Sequence, residues 1–298
     1  MESNYLQSKS TDEIIKEINE FESLNLKELS IEQIKSKIHN IILGHLRITY
    51  KINPEGLTRG RKNLNSEIFY NKKDLWYPNW DEIPKYKHKL NRCNDLAEKI
   101  FYASTETDTV ICELQLEKDN FFTIVDIYPK TLELNAIVQV IGINELAKSQ
   151  EKYKVLFKDH YDKLKRDSPE DYEKNILIDK FLSNQFQIKV NENESWKYKL
   201  TIAISQILLS NPETDGLLYP SISSNSKGAN LVFKTTIVDE KLVIGRAGIY
   251  QVVDKTKNEG ISVRLIQVPS QTISNELISI KWRIPTEQEF QEFSIKCE

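Results

Sequence analysis

The first 44 residues carry apolar side chains at the three- and four-residue spacing of amphipathic helices. Ser10 and Ser30 each stand three residues before a glutamate or glutamine, which is the capping-box pattern of a helix start. Gly44 predicts a left-handed stop for the second helix. The apolar positions are Ile14, Ile15, Ile18 and Phe21, then Ile31, Ile34, Ile38, Ile41 and Ile42. Residues 1–44 are therefore predicted to form a helical hairpin whose isoleucine face packs on the following domain or on another subunit.

Alternation with period two follows at 46–50 and predicts a strand with Arg47 on its polar face. The next stretch, through TRGRKNLN at 58–65 and DLWYPNWDEIPKYKHK at 74–89, has glycine, prolines and aromatic residues without clear periodicity, so we predict a long irregular segment there. Strands are predicted again at 100–103 and 120–127. Between them Thr105, three residues before Asp108, predicts the cap of a short helix. That helix directs Val110, Ile111 and Leu114 inward, with Glu113 near the same face.

The second half of the chain separates helices from strands. Between about 151 and 210 the apolar spacing predicts helices, with Ser168 as an N-cap and Pro169 at the first helical position. Two long helices are predicted through Phe181 and through Leu200. Short strands are predicted at 217–219, 231–233, 242–244, 249–253, 263–268 and 278–284. Strands that cluster apart from helices indicate the α+β class.

Composition and charge argue against two classes of protein, those that bind nucleic acid and those that span a membrane. The chain has 298 residues, a formal net charge of -3 and a pI near 6.0, so it lacks the basic character expected of a nucleic-acid-binding protein. The opening residues have no signal-peptide pattern, and no apolar run approaches the roughly 20 residues that cross a bilayer. We therefore expect a cytoplasmic protein that binds neither nucleic acid nor membrane.

Cysteines and histidines give no metal-binding pattern. The three cysteines, Cys93, Cys112 and Cys297, are widely spaced and odd in number, which favours reduced thiols over a disulfide framework. The four histidines never take zinc-like spacing, so no metal is expected. The motifs GxxxxGK[ST], GxGxxG and GxSxG are absent, so no motif of this sequence indicates a phosphate-binding loop, a dinucleotide-binding fold or a serine hydrolase.

Three segments in order carry a family resemblance. They are LRITY at 46–50, NRCNDLAEKIFYASTETDTVICE at 91–113, and ISQILLSNPETDGLLYPSISSNSKGANLVF at 204–233. Together they resemble the RES family, which is named for an arginine, a glutamate and a serine. Its pattern runs from a strand-ending arginine through a GRxN-like turn and "lYxAxxxxTAxxE" to "DGixYPSxxxxxGxN". The resemblance covers about 45–283, leaving 1–44 as a helical extension and 284–298 as a tail.

Two segments compete for the internal arginine turn of that pattern. Gly60-Arg61-Lys62-Asn63 matches its glycine, whereas 91–94 leads directly to the ASTET helix and Glu113. We prefer the second by context, which assigns the turn to Arg92. The chain departs from the family there, with asparagine at 91 in place of glycine and Cys93 in place of the usual tryptophan.

The resemblance implies a fold similar to ADP-ribosyltransferase toxins, with small twisted sheets and packed helices. It implies an enzyme that degrades NAD+ by breaking the nicotinamide–ribose bond, as a glycohydrolase or phosphorylase, without a metal. Such proteins are usually bacterial toxins restrained by an Xre-type antitoxin. Two alternatives remain open, namely a protein ADP-ribosyltransferase and a nucleotide-binding module without turnover. The isoleucine face of 1–44 leaves a homodimer open as well.

The residue types at the matched positions suit this chemistry. Bond cleavage builds positive charge on the ribose, and a carboxylate such as Glu113 stabilises that charge. Guanidinium groups bind phosphate oxygens in pairs, so Arg47 and Arg92 are the expected pyrophosphate clamps. Tyr102 is expected to stack on a ring or steer a hydroxyl. Ser221 is expected to orient the nicotinamide ribose or amide, because no histidine or lysine base accompanies it as a nucleophile would require.

Overall fold

The computed structural model describes residues 4–85, 88–223, 228–256, 260–273 and 277–293. The α-helices are α1 Asn4–Ser8, α2 Thr11–Glu22, α3 Ile31–Gly44, α4 Thr107–Glu113, α5 Ile143–Ser149, α6 Glu151–Asp167, α7 Pro169–Phe186, α8 Tyr198–Leu209, α9 Thr235–Lys241 and α10 Glu287–Glu292. The strands are β1 Ile48–Ile52, β2 Leu57–Asn63, β3 Ile100–Ser104, β4 Phe121–Pro129, β5 Ala136–Val140, β6 Gly216–Pro220, β7 Ala229–Lys234, β8 Leu242–Thr256, β9 Gly260–Pro269 and β10 Trp282–Arg283. The predicted α+β class is confirmed.

The chain forms two compact units, and each is assembled from three separate stretches. The first unit comprises Met1–Lys51, Trp80–Glu98 and Ile137–Ile222, and the second comprises Ile52–Asn79, Lys99–Ala136 and Ser223–Glu298. In the first unit the strands follow the order β1-β5-β6, with β5 and β6 parallel. In the second the order is β7-β3-β2-β4-β8-β9-β10, and every neighbouring pair is antiparallel.

The predicted helical hairpin is confirmed as α2 and α3, and both capping boxes are formed. The isoleucines Ile34, Ile38 and Ile42 are fully buried, and α3 packs against α8 of the same unit. The predicted left-handed stop at Gly44 is wrong. Gly44 is the last residue of α3, and the next residue, His45, leaves the helix with extended backbone (φ -69°, ψ 126°).

The strand predicted at 46–50 begins later, at Ile48. The side chain of Asn175 accepts a hydrogen bond from the Leu46 N–H (2.7 Å) and donates one to the Leu46 carbonyl (3.3 Å). A side chain from α7 thus satisfies the backbone groups that a neighbouring strand would otherwise bind. Arg47 consequently lies just before β1, and the prediction that places it on the polar face of the strand is wrong.

The segment predicted to be irregular contains the strand β2 and, among its described residues, short 3₁₀ turns at Leu64–Ser66, Lys72–Leu75 and Trp80–Glu82. The prediction is wrong for β2, whose sequence LTRGRKN lacks alternating apolar residues. This strand pairs with β4 along its whole length, from Leu57 opposite Ile127 to Asn63 opposite Phe121. Its pairing partners therefore determine its conformation more than its own sequence pattern does.

The strands predicted at 100–103 and 120–127 are confirmed as β3 and β4, and the short helix between them is α4. The predicted cap at Thr105 is wrong. The N-cap is Glu106, and Thr105 Oγ1 instead donates to the Glu106 carboxylate (2.6 Å). The predicted inward face is present, because Val110 and Ile111 are buried and Leu114 packs against the same apolar cluster as Phe122 and Ile124.

The later elements follow the prediction with shifted bounds. Ser168 is the N-cap of α7 and Pro169 its first residue, although the Ser168 hydroxyl donates to Asp171 Oδ2 (2.7 Å) and accepts no capping hydrogen bond from a backbone N–H. The strands predicted at 242–244 and 249–253 are one strand, β8. The strand predicted at 278–284 shrinks to a bridge at Ser279 and the short β10. Within the part of the chain that the structure describes, no helix is long and apolar enough to cross a bilayer.

Candidate functional site

Helix α4 lies directly on strand β2 because Gly60 has no side chain. A Cβ built at Gly60 would overlap Val110 Cγ1 and lie 2.9 Å from Leu114 Cδ1. Both contacts come from the face of α4 that points into the apolar core of the second unit. The glycine therefore permits a close approach that any larger residue prevents, and it sets the height of α4 above the sheet.

A row of polar side chains crosses three strands beneath α4. Thr58 on β2 is opposite Ser104 on β3, and Ser104 is opposite Asn230 on β7. Residues opposite each other in antiparallel pairs project from the same face of the sheet. Thr58 Oγ1 is 3.1 Å from Oγ1 of Thr107, the first residue of α4, and this contact attaches the start of the helix to the sheet.

The carboxylate of Glu113 is held at the other end of α4. Nδ2 of Asn230 donates to Glu113 Oε1 (2.8 Å), and Oγ of Ser223 donates to Oε2 (3.2 Å). Both donors are neutral, and they come from a segment more than one hundred residues later in the chain. Glu113 is exposed to solvent, so its position is fixed while its carboxylate stays accessible to a ligand.

The segment that leads into β7 is fitted closely against α4. A Cβ built at Gly228 would overlap Oγ1 of the buried Thr109 and lie 2.8 Å from its Cβ. At the helix start, Glu106 Oε2 accepts hydrogen bonds from Ser104 Oγ (3.2 Å) and from the Ala229 N–H (3.5 Å). These contacts fix the register of β7 against α4, and that register brings Asn230 to Glu113.

Tyr102 and Arg59 lie in the same unit as Glu113. Tyr102 is a half-buried residue in the middle of β3, opposite Val232 on β7. Nη1 of Arg59 donates to the Tyr102 carbonyl (2.9 Å), and its guanidinium carbon is 5.2 Å from the centre of the Phe101 ring. Burial, followed by the charge of Arg61, lowers the pKa of Arg59 to about 10. The second unit thus places an arginine, a tyrosine and a carboxylate on neighbouring elements.

The arginine turn at 91–94 lies in the first unit, where it contacts the YPS segment. The Cys93 thiol is fully buried, and burial raises its pKa to about 11, although the charge of Arg92 and a hydrogen bond with the side chain of Tyr219 oppose that rise. Tyr219 is the tyrosine of YPS. Two segments that carry the family resemblance therefore meet through a buried thiol.

Arg92 has a guanidinium group with a buried, unused donor. Its Nη2 donates to the Ile188 carbonyl (3.2 Å), and its guanidinium carbon is 5.3 Å from the centre of the Tyr198 ring. Nη1 is buried and has no hydrogen-bond partner among the residues that the structure describes. A buried N–H without an acceptor lowers the free energy of unfolding, and a bound anion would supply that acceptor. Arg92 therefore has the free donor expected of an anion-binding residue.

The other two predicted site residues also belong to the first unit. Ser221 follows β6 directly and has 0% exposed surface. Arg47 lies between α3 and β1, where its positive charge is one of the causes that lower the pKa of the buried His45. The five predicted site residues are thus divided between the units, with Glu113 and Tyr102 in the second and Arg47, Arg92 and Ser221 in the first.

Sequence reasoning assigned no site role to three residues of the second unit, Asn230, Ser223 and Arg59. Asn230 is part of the GxN end of the family pattern, and that pattern is the signal that marks it. Ser223 stands in the polar run SISSNSKG, where nothing distinguishes one serine from the next. Arg59 stands in β2, which had no recognisable strand pattern.

Metal ligands and thiols add nothing to the site. Among the described residues, no three His, Cys, Asp or Glu side chains gather as a metal ion would require. Cys93 and Cys112 are free thiols, and burial raises the pKa of Cys112. Cys297 lies outside the described residues. No family model matches the chain, and no curated protein matches it either.

Proposed function

We propose that this protein is an enzyme that cleaves the nicotinamide–ribose bond of NAD+ with Glu113 as its catalytic carboxylate. One observation carries the proposal. A hydrogen bond of 2.8 Å joins Glu113 of the ASTET helix (α4) to Asn230 of the GAN segment (residues 228–230). These two residues belong to separate parts of the RES-like pattern. An exposed helix glutamate without a function has no need of two fixed donors, because a surface carboxylate is well solvated by water.

The carboxylate suits the charge that develops in the reaction. When the N-glycosidic bond breaks, its electron pair leaves with neutral nicotinamide, and positive charge appears on the ribose. A carboxylate held in place stabilises that charge without reorganising during the step. Water or phosphate then adds to the ribose carbon and loses a proton, which gives ADP-ribose or its phosphorylated form. Asn230 and Ser223 orient the carboxylate, since each occupies one of its two oxygens.

The fold and the biological role belong to the same proposal. The mixed helices and sheets, and the order of the matched segments, support a RES domain with an ADP-ribosyltransferase-like fold. The family pattern assigns pyrophosphate binding to Arg92, whose buried Nη1 has no hydrogen-bond partner among the described residues, and contact with a ring or hydroxyl of the substrate to Tyr102. The family pattern assigns substrate binding to Arg47 and Ser221 as well, but Ser221 has 0% exposed surface, so we assign its hydroxyl to the stability of the first unit. A toxin with an Xre-type antitoxin as its partner completes this interpretation.

The test measures, by chromatography, how much nicotinamide the purified full-length protein releases from NAD+. Glu113→Gln keeps the shape of the side chain and removes its charge, so we expect turnover to fall by at least about 100-fold. Glu117→Gln is the matched control, because Glu117 is a surface glutamate in the same unit whose partner is Lys255 (2.7 Å). Undiminished turnover in Glu113→Gln, with an unchanged circular dichroism spectrum, would refute the role of this carboxylate.

A further inference from the structure

The second unit contains a cavity of about 530 Å³ that Glu113, Asn230 and Ser223 do not line. The lining residues come from the 3₁₀ turn Lys72–Leu75 and its two flanking residues, from the residue after β4, from α9 and the start of β8, and from the segment before β10. They are Asn71, Lys72, Lys73, Trp76, Lys130, Asp239, Leu242, Ile244, Leu277 and Ile278. This volume lies within the range of about 300–1,000 Å³ that is typical of small-molecule sites.

Backbone hydrogen bonds connect two sides of the cavity. Asn71 forms an isolated β-bridge with Ser279, and the Lys72 N–H donates to the Ile278 carbonyl (3.0 Å). The side chain of Ile278 is nevertheless 81% exposed. With Leu242 and Ile244 it gives the cavity an aliphatic wall, and part of that wall faces water. An apolar surface held open by a fixed backbone favours a ligand that covers it.

The cavity is positively charged. Lys72, Lys73 and Lys130 line it, and Asp239 is the acid among the described lining residues. Both oxygens of Asp239 accept hydrogen bonds, from Trp76 Nε1 (3.1 Å) and from the Tyr77 hydroxyl (2.7 Å). Burial, followed by the charge of Lys130, lowers the pKa of Lys72, so these two ammonium groups repel each other. A bound anion relieves that repulsion.

Trp76 supplies a fixed aromatic ring. Its indole N–H is bound to Asp239, and its ring packs against Phe101 with the two centres 5.1 Å apart. The side chain therefore loses little conformational freedom when a ligand binds. A flat ring stacks well on an indole held in this way, and such stacking contributes about 1–3 kcal/mol per base in nucleic-acid-binding proteins.

We propose that this cavity is a second ligand site, which binds a nucleoside phosphate with its base against Trp76 and its phosphate between Lys72 and Lys130. The combination of a fixed indole, an aliphatic wall and clustered ammonium groups matches a flat ring that carries an anionic group. An acidic peptide satisfies the lysines as well, but a volume of about 530 Å³ is that of a small-molecule site. The site does not depend on the proposed NAD+ cleavage.

Calorimetric titration of the full-length protein with adenosine monophosphate tests the proposal. We expect adenosine and inorganic phosphate each to bind at least about tenfold more weakly than the nucleotide, because each lacks half of the ligand. Trp76→Leu is expected to weaken binding about tenfold, and Lys130→Gln about three- to tenfold. Lys118→Gln, an exposed lysine of the same unit that does not line the cavity, is the control for the loss of one positive charge.

Further variants separate this site from the Glu113 site. Glu113→Gln should leave binding of the nucleotide unchanged, so failed NAD+ cleavage and failed nucleotide binding are independent results. Binding that is lost in Glu113→Gln but retained in Trp76→Leu would overturn the assignment, as would equal affinity for adenosine. Absence of binding at about 10 mM nucleotide, or binding of an acidic peptide in its place, would also overturn it. Lys130→Gln gives a second measurement should Trp76→Leu unfold.

Discussion

The motif segments of this protein are used in two different ways. In the second unit, the ASTET helix and the GAN segment hold Glu113 at the surface between two neutral donors. In the first unit, the NRCN turn and the YPS segment bury their polar groups, with Cys93 and Ser221 fully enclosed. The matched residues therefore include some that present a functional group to solvent and others that stabilise the surrounding fold.

The buried polar groups of the first unit include two ionisable side chains. The first unit encloses His45 and Asp179, and burial lowers the pKa of His45 to about 3 and raises that of Asp179 to about 6. Both shifts favour the neutral form, as expected where water is excluded. If this comparison is correct, removing a group that binds the Glu113 carboxylate should affect turnover more than stability, and removing the buried polar group of His45 or Ser221 in the first unit should do the opposite. Three predictions test it, in order of decreasing effect.

Gly228→Ala should have the largest effect because it acts on the fit between β7 and α4. The new methyl group overlaps Thr109 Oγ1, and α4 has to move away from the segment that carries Asn230. We expect a loss of about 3 kcal/mol in the free energy of unfolding, typical of overpacking, and a fall of more than tenfold in nicotinamide release. Urea denaturation and the turnover assay measure the two effects.

The control for this prediction is Gly56→Ala, in the same unit. A Cβ at Gly56 meets the edge of the Tyr128 ring at 3.2 Å, and a small movement of that ring accommodates it. Adding Thr109→Ala to Gly228→Ala removes the overlapping hydroxyl and should restore part of both losses. Unchanged activity in Gly228→Ala alone would mean that the register of β7 does not position Glu113.

Acid should destabilise the protein through His45. This residue is 5% exposed, and its Nε2 has no partner among the described residues. Because its pKa in the folded state is about 3, well below the ordinary histidine pKa of 6.5, the folded state resists protonation. Its contribution to stability is complete above pH 6.5 and is lost as the pH falls toward 3. Between pH 6.5 and 4.5 this loss is about 2–3 kcal/mol.

Urea denaturation at several pH values measures that loss. His45→Leu has no group to protonate, so the same interval of pH should cost this variant about 2–3 kcal/mol less than it costs the wild type. Arg47→Gln removes a charge that lowers the pKa of His45, so acid should destabilise this variant less steeply. Parallel pH profiles for the wild type and His45→Leu would contradict the buried, neutral state of this histidine.

Local sequence patterns predicted the elements whose determinants lie within a few residues. The serines before α2 and α3 specify their helix starts, and those caps form as predicted. Strand β2 escaped prediction because its determinants are distant in sequence, namely its pairing with β4 and the close approach of α4 at Gly60. The position of Arg47 escaped prediction for the same reason, since Asn175 on α7 binds the backbone of Leu46.

The candidate site also combines features that the sequence predicts with features that depend on residues distant in sequence. The order of motif residues predicted Glu113 as the acid, and the structure adds Asn230 and Ser223 as its donors. A pattern of letters records which residues recur, but it contains neither the surface exposure of a hydroxyl nor the partner of a carboxylate. Ser221 and Ser223 illustrate this limit. They are two residues apart in one polar run, yet Ser221 is fully buried while Ser223 binds Glu113.

The smallest effects provide the most direct test of the comparison, through the paired variants Asn230→Ala and Ser221→Ala. Asn230→Ala removes one donor from an exposed carboxylate, so we expect turnover to fall about tenfold with less than about 0.5 kcal/mol change in stability. Ser221→Ala removes a buried hydroxyl, and the free energy of unfolding should fall by about 1 kcal/mol. Turnover at saturating NAD+ and urea denaturation on the same preparations separate the two effects. A stability loss confined to Asn230→Ala, with turnover lost in Ser221→Ala alone, would reverse the comparison and make the buried serine the functional group.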